Sequence, residues 1–258
     1  MSSSEKTAFI TGAGSGIGEA AALAFASSGV AVAVGDLDIV NAEKVATKIT
    51  CSGGLAKAFA IDVSCPQSVE SAFESAESWY GVNTSILVNS AGIMGVHEFL
   101  GYPAELFSKV MAVNVTGAFL CAQRASRNMA KAGVGRIINI ASVSAERAGI
   151  GRAAYGTSKA ALVGLTRQMA MELGPLGITS NAVAPGPVIT PLTQASYNAA
   201  TIDAYESMIP ARRLGLLNEI TSAIIYLASD DAAYINGVFL PVDGGYLAGG
   251  VAKTGKLS

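Results

Sequence analysis

The chain's 258 residues predict a doubly wound α/β fold, with a parallel sheet of about seven strands and helices on both faces. Three observations carry that expectation. Short apolar runs alternate with amphipathic stretches along almost the whole chain. Several of those runs are apolar at successive residues, as strands covered on both faces are. The first run passes into a glycine-rich turn that opens directly into a helical pattern.

Thr7–Ile10, Val30–Val34, Ala56–Ile61, Ile86–Asn89, Arg136–Ala141, Thr179–Ala184 and Val238–Val242 read as the strands. Between them, Ile17–Ser28, Val40–Thr50, Gln67–Tyr80, Ala104–Lys131, Tyr155–Leu173 and Asn218–Ala228 read as helices. Ser64 and Gln67 form a candidate capping box for the third helix. No composition shift or linker divides the chain, so residues 1–258 read as one domain. Pro185–Pro210 is the least regular stretch, because four prolines block continuous helix. Its position after the sixth strand marks about 187–210 as a substrate lid.

Apolar residues make up 51% and charged residues 14%, which excludes a disordered polyelectrolyte. The net charge of −2 argues against a general nucleic-acid binder. No apolar run suggests a membrane partner. The polar start, Met1–Lys6, resembles no secretory signal, so a cytoplasmic location is expected. Cys51, Cys65 and Cys121 are scattered and odd in number, which fits a reducing compartment without disulfides. His97 is the chain's one histidine, and no metal site is expected.

The turn reads Thr11-Gly12-Ala13-Gly14-Ser15-Gly16-Ile17-Gly18. It is GxxxGxG, not GxGxxG, and its glycines permit a tight turn and close approach of a pyrophosphate to free helix N–H groups. No Gly-Lys-Ser/Thr follows, so a Walker-type loop is excluded. Asp36 ends the second strand about 20 residues on, where a carboxylate binds both ribose hydroxyls and repels a 2′-phosphate. Ser15 and Leu37 offer no cation to that phosphate, so the expected cofactor is NAD.

Tyr155 and Lys159 stand at i and i+4 of a helix and share a face. An ammonium beside a phenol lowers the phenol's pKa and equips it as a general acid/base. Ser142 follows the fifth strand at the sheet's carboxyl edge, where its hydroxyl can bind a reacting oxygen.

Together with Asp62-Val63, Asn89-Ser90-Ala91-Gly92, Asn114, Pro185-Gly186 and Asp243-Gly244-Gly245, these motifs resemble the short-chain dehydrogenase/reductase family of single-domain Rossmann enzymes. The resemblance runs from Thr11 to Gly245 and implies residue roles. Tyr155 is the acid/base, Ser142 polarises the substrate oxygen, Lys159 tunes Tyr155 and holds the nicotinamide ribose, and Asn114 shapes a water relay at a helix irregularity. Gly12, Ser15, Gly16, Ile17, Gly18, Asp36, Leu37, Asp62, Val63, Asn89, Ala91, Gly92, Pro185, Gly186, Val188 and Thr190 complete the cofactor site. Ser90 replaces an asparagine frequent in the family, which implies altered bracing of the sheet and intact catalysis.

The expected activity moves hydride between the nicotinamide and a secondary alcohol or ketone. A lining that mixes Met94, Val96, Ser144, Leu192 and Tyr197 with Arg147 and Arg152 suits a small polyol, sugar, hydroxy acid or sulfonate. The arginines either bind an anionic group bidentately or are solvated or bridge subunits. A ketoacyl carrier reductase using NADPH, and an NAD(H)-sensing regulator, are the alternatives. The resemblance also implies a homotetramer, a dimer of dimers. The tail, about 246–258, either folds over a neighbour's site or frays.

Overall fold

A computed structural model describes residues 6–194 and 197–249. Its seven strands are β1 Thr7–Thr11, β2 Ala31–Asp36, β3 Ala56–Ala60, β4 Ile86–Asn89, β5 Gly135–Ile140, β6 Ile178–Pro185 and β7 Phe239–Val242. They form one sheet in the order β3-β2-β1-β4-β5-β6-β7, parallel throughout. All seven expected strands are present, with ends shifted by no more than two residues.

Alternation along each strand sorts side chains onto two helical layers. Ala8, Ile10, Val32, Val34, Ile86, Val88, Ile138 and Ile140 face α1 (Gly16–Ser27), α2 (Ile39–Cys51) and α9 (Leu217–Ala228). Phe9, Ala33, Leu87 and Ile137 face the opposite layer of α3 (Pro66–Tyr80), α5 (Ala118–Ala132) and α6 (Ala153–Leu173). Phe9 stacks on Phe73 of α3, with ring centroids 4.1 Å apart. Burial of both faces is why these strands read as continuous apolar runs.

The chain leaves β1 outward through β2 and β3, then returns to place β4 on the other side of β1. This reversal opens a crevice at the carboxyl ends of β1 and β4, where α/β sheets hold ligands. The Thr11 hydroxyl closes its floor by accepting the N–H groups of Ser90 and Ala91, each at 3.2 Å.

The long fourth helix divides into α4 (Ala104–Met111), a π-helical segment Ala112–Gly117, and α5. By length and composition, Ala104–Ala132 could cross a bilayer. Its second half, α5, packs on β4, β5 and α3, where Arg124 bonds Glu70 and Glu77, and its first half packs on α6. The capping box at α3 does not form. Ser64 gives its hydroxyl to the Asp62 carboxylate at 2.6 Å, and the cap falls on Cys65 with Pro66 opening the helix.

After β6 the chain forms two short helices, α7 (Pro191–Gln194) and α8 (Ala199–Met208). Of the expected tail, Tyr246–Gly249 lies within the described residues and 250–258 lies outside them.

Candidate active site

A cavity of about 610 Å³ occupies the crevice. One end is built by the turn after β1. Gly12 and Gly16 adopt φ +63° and +58°, a left-handed conformation that glycine enters without a Cβ clash. A Cβ on Gly12 would stand 2.7 Å from Ala91 Cα, and one on Gly18 would stand 2.2 Å from the Gly12 carbonyl oxygen. The bare backbone therefore forms a cradle at the start of α1, suited to a pyrophosphate. Asp36 is fixed beside it, accepting the Gly14 N–H at 2.8 Å and the Asp38 N–H at 2.9 Å. Ser15, Ile17, Leu37, Asp62, Val63, Ala91 and Gly92 also line this part of the cavity. Val63 reaches its place because Gly117 leaves room; a Cβ there would come within 2.6 Å of the valine side chain.

The other end gathers Ser142, Tyr155 and Lys159 with Pro185, Gly186 and Val188, while Thr190 stands against the glycine turn, 3.6 Å from a Cβ placed on Gly16. Ser142 follows β5 and accepts the Ser144 N–H at 3.1 Å. Tyr155 and Lys159 lie one turn apart on α6, with the Lys159 nitrogen 5.6 Å from the centre of the Tyr155 ring. Lys159 is buried and donates to the Ile140 carbonyl at 2.6 Å; burial lowers its pKa to about 8.

The expected lowering of the Tyr155 pKa is not what the structure gives. Burial pushes the phenol above its ordinary value, while hydrogen bonding from Ser142 and the positive charge of Arg152 pull in the opposite direction. Lys159 lies beside the ring and points its ammonium at the Ile140 carbonyl.

Asn114 sits in the π-helical segment, buried, and holds both backbone groups of Ile93 at 2.8 and 3.0 Å. Its amide also donates to the Ser158 hydroxyl at 2.9 Å. A Cβ added to Gly92 would lie 3.4 Å from Asn114 Oδ1 and 3.6 Å from Lys159 Nζ, so both groups converge on the space above Gly92. Asn89 turns away from the cavity and donates to Asn139 at 2.9 Å and to the Ala118 carbonyl at 3.2 Å. With Thr11 it braces the sheet where Ser90 replaces the family's asparagine. Gly18 also lies behind the cavity wall.

Of the expected substrate residues, Met94, Ser144, Arg147, Arg152, Leu192 and Tyr197 line the cavity. Val96 does not; it is half exposed and packs against Gly151. Tyr205 and Tyr246 are cavity residues that the motifs did not reveal. They are brought in by α8 and the segment after β7, and Tyr197, Tyr205 and Tyr246 contact in series with centroids 5.3 and 6.3 Å apart. Their aromatic recurrence after Pro185 was the available signal. Arg147 is tied to this wall, donating to the Tyr246 carbonyl at 2.8 Å and lying 4.9 Å from its ring centre.

A glycine cradle at a helix start, a carboxylate fixed beside it and a Ser-Tyr-Lys set at one crevice fit a nicotinamide-dependent oxidoreductase. The family model described as enoyl-(acyl carrier protein) reductase matches residues 12–247. D-threitol dehydrogenase of Mycolicibacterium smegmatis is 37% identical over 93% of this chain and 92% of its own. L-rhamnose 1-dehydrogenase (NAD(P)(+)) of Azotobacter vinelandii is also 37% identical, over 93% and 96%. The crystal structure of a gluconate 5-dehydrogenase from Burkholderia cenocepacia, in complex with NADP and tartrate, superposes with a TM-score of 0.91 at 34% identity, covering 95% of this chain and 96% of that one. The chain belongs to the short-chain dehydrogenase/reductase family and is an oxidoreductase of CH–OH groups.

Proposed function

We propose that this protein is an NAD-linked dehydrogenase of a small polyhydroxylated substrate bearing a secondary alcohol. The convergence of Ser142, Tyr155 and Lys159 on one end of the cavity carries that reading. Ser142 would hydrogen-bond the reacting oxygen and hold it against Tyr155. The Tyr155 oxygen would take the hydroxyl proton during oxidation and return it during reduction. Lys159, with Asn114 behind it, would hold the nicotinamide ribose and keep positive charge near the phenol. When bound, the nicotinamide supplies the hydride acceptor.

Asp36 supports NAD over NADP. Its carboxylate is held by two backbone N–H groups, and a 2′-phosphate at the same ribose would bring two anions together. Threitol and rhamnose in the relatives' names, and gluconate in the neighbour's, support a substrate with several hydroxyls. One domain, a lid at about 187–210 and a homotetramer belong to the same proposal.

The test is NADH formation across alditols, aldoses and hydroxy acids, repeated with NADP and with a Tyr155→Phe variant. Turnover with NAD, lost in the variant while NADH still binds, is the expected result. Turnover that survives Tyr155→Phe would overturn the assignment of the acid/base.

A further inference from the structure

The charges lining the cavity are sorted. Asp36, Asp38 and Asp62 stand at the end formed by β2, β3 and the glycine turn, whereas Arg147, Arg152 and Lys159 stand at the end formed by β5 and α6; Lys109, exposed on α4, also lines the cavity. Two of these four cations meet carbonyls, Lys159 that of Ile140 and Arg147 that of Tyr246, and Lys109 is exposed to solvent. Arg152 is half-buried and forms neither a salt bridge nor a side-chain hydrogen bond among the described residues.

Its stem folds back over the loop before α6, so that a Cβ on Gly149 would lie 3.3 Å from Arg152 Cδ and 3.7 Å from Nε. It precedes Tyr155 by one helical turn, and its charge acts on the phenols of both Tyr155 and Tyr197. Arg152 thus lines the same cavity as Tyr155 and Tyr197, within reach of a small substrate whose hydroxyl meets Tyr155. Partial desolvation weakens hydration of that charge, and a planar fork of N–H donors matches a carboxylate bidentately.

We propose that Arg152 is a carboxylate-binding subsite, and that the preferred substrates are hydroxycarboxylates whose acid group Arg152 holds while Ser142 and Tyr155 take a secondary hydroxyl. Neutral polyols of the same length would leave the guanidinium without an anion. Arg147 is exposed and held at the tyrosine wall by the Tyr246 carbonyl and ring, whereas Arg152 is half-buried one turn before Tyr155. The proposal rests on the dehydrogenase reading of Ser142, Tyr155 and Lys159.

Two matched pairs test it: D-gluconate against D-glucitol, and tartrate against threitol. Turnover with NAD is measured, and binding to the NADH-loaded protein is measured separately by calorimetry. Wild type should favour the acid of each pair. Arg152→Gln should lower kcat/KM for the acid about 10- to 100-fold more than for its neutral partner, with the difference mainly in KM. Arg152→Lys should recover part of the loss. Equal losses for acid and neutral substrates would overturn the subsite, since Arg152 would then act through Tyr155 or the fold. Failure of both acids to bind, or binding unchanged by Arg152→Gln, would overturn it too. Arg152-dependent binding without turnover would retain the subsite and refute the dehydrogenase reading instead.

Discussion

Replacing Lys159 by methionine should change how stability depends on pH. The Lys159 side chain is buried, and its proton leaves at about 8 instead of 10.5 because burial penalises the ammonium. That displacement costs the folded chain about 3 kcal/mol at neutral pH, at about 1.4 kcal/mol for each pH unit. Below about pH 8 both folded and unfolded chains hold the proton, so the full penalty is present. Between about 8 and 10.5 the unfolded chain keeps a proton that the folded chain has released, so stability rises with pH. From about pH 7 to about pH 9.5, this group should add about 2 kcal/mol to wild-type stability. Lys159→Met removes the titration and should flatten that rise. Urea unfolding at fixed protein concentration measures it, followed by the fluorescence of Trp79, the chain's one tryptophan, which packs 6.0 Å from the Phe59 ring. The same rise in wild type and variant would refute the attribution to Lys159.

Gly18→Ala should destroy the phosphate cradle, because its Cβ would fall 2.2 Å from a backbone oxygen that has no rotamer to change. Destabilisation of about 2 kcal/mol and at least a tenfold loss of NADH affinity are expected, by thermal unfolding and fluorescence titration. Asp36→Ser should narrow the preference for NAD over NADP by about 10- to 100-fold in kcat/KM, as one anion leaves the ribose site; an unchanged ratio would place discrimination elsewhere. Arg147→Ala should free Tyr246 and loosen the tyrosine wall, raising KM by about fivefold with kcat nearly constant in steady-state assays, given about 1 kcal/mol for an exposed cation–π contact.

Much of this architecture is local enough to be legible in sequence. Strands covered on both faces must be apolar at consecutive positions, so Phe9 and Ile10 announced β1 although they face opposite layers. Gly12 and Gly16 are required by left-handed backbone and Gly18 by crowding against the Gly12 carbonyl, all within one turn, and Tyr155 and Lys159 pair by the pitch of one helix. Whatever depended on competition between partners was decided by the tertiary structure. Ser64 had Gln67 within reach but bonded Asp62. Asn89 turned into the sheet because Asn139 and the Ala118 carbonyl stand behind it. The Tyr155 phenol is pushed upward because burial around it outweighs the Ser142 hydrogen bond and the Arg152 charge. Arg147 and Arg152 read alike in the sequence. Tyr246, 99 residues further on, holds the exposed Arg147 through its carbonyl and ring, whereas the half-buried Arg152 has no side-chain hydrogen bond among the described residues. Periodicity and turn chemistry are properties of neighbouring residues. Burial and the choice among hydrogen-bond partners are set by segments that meet only when the chain has folded.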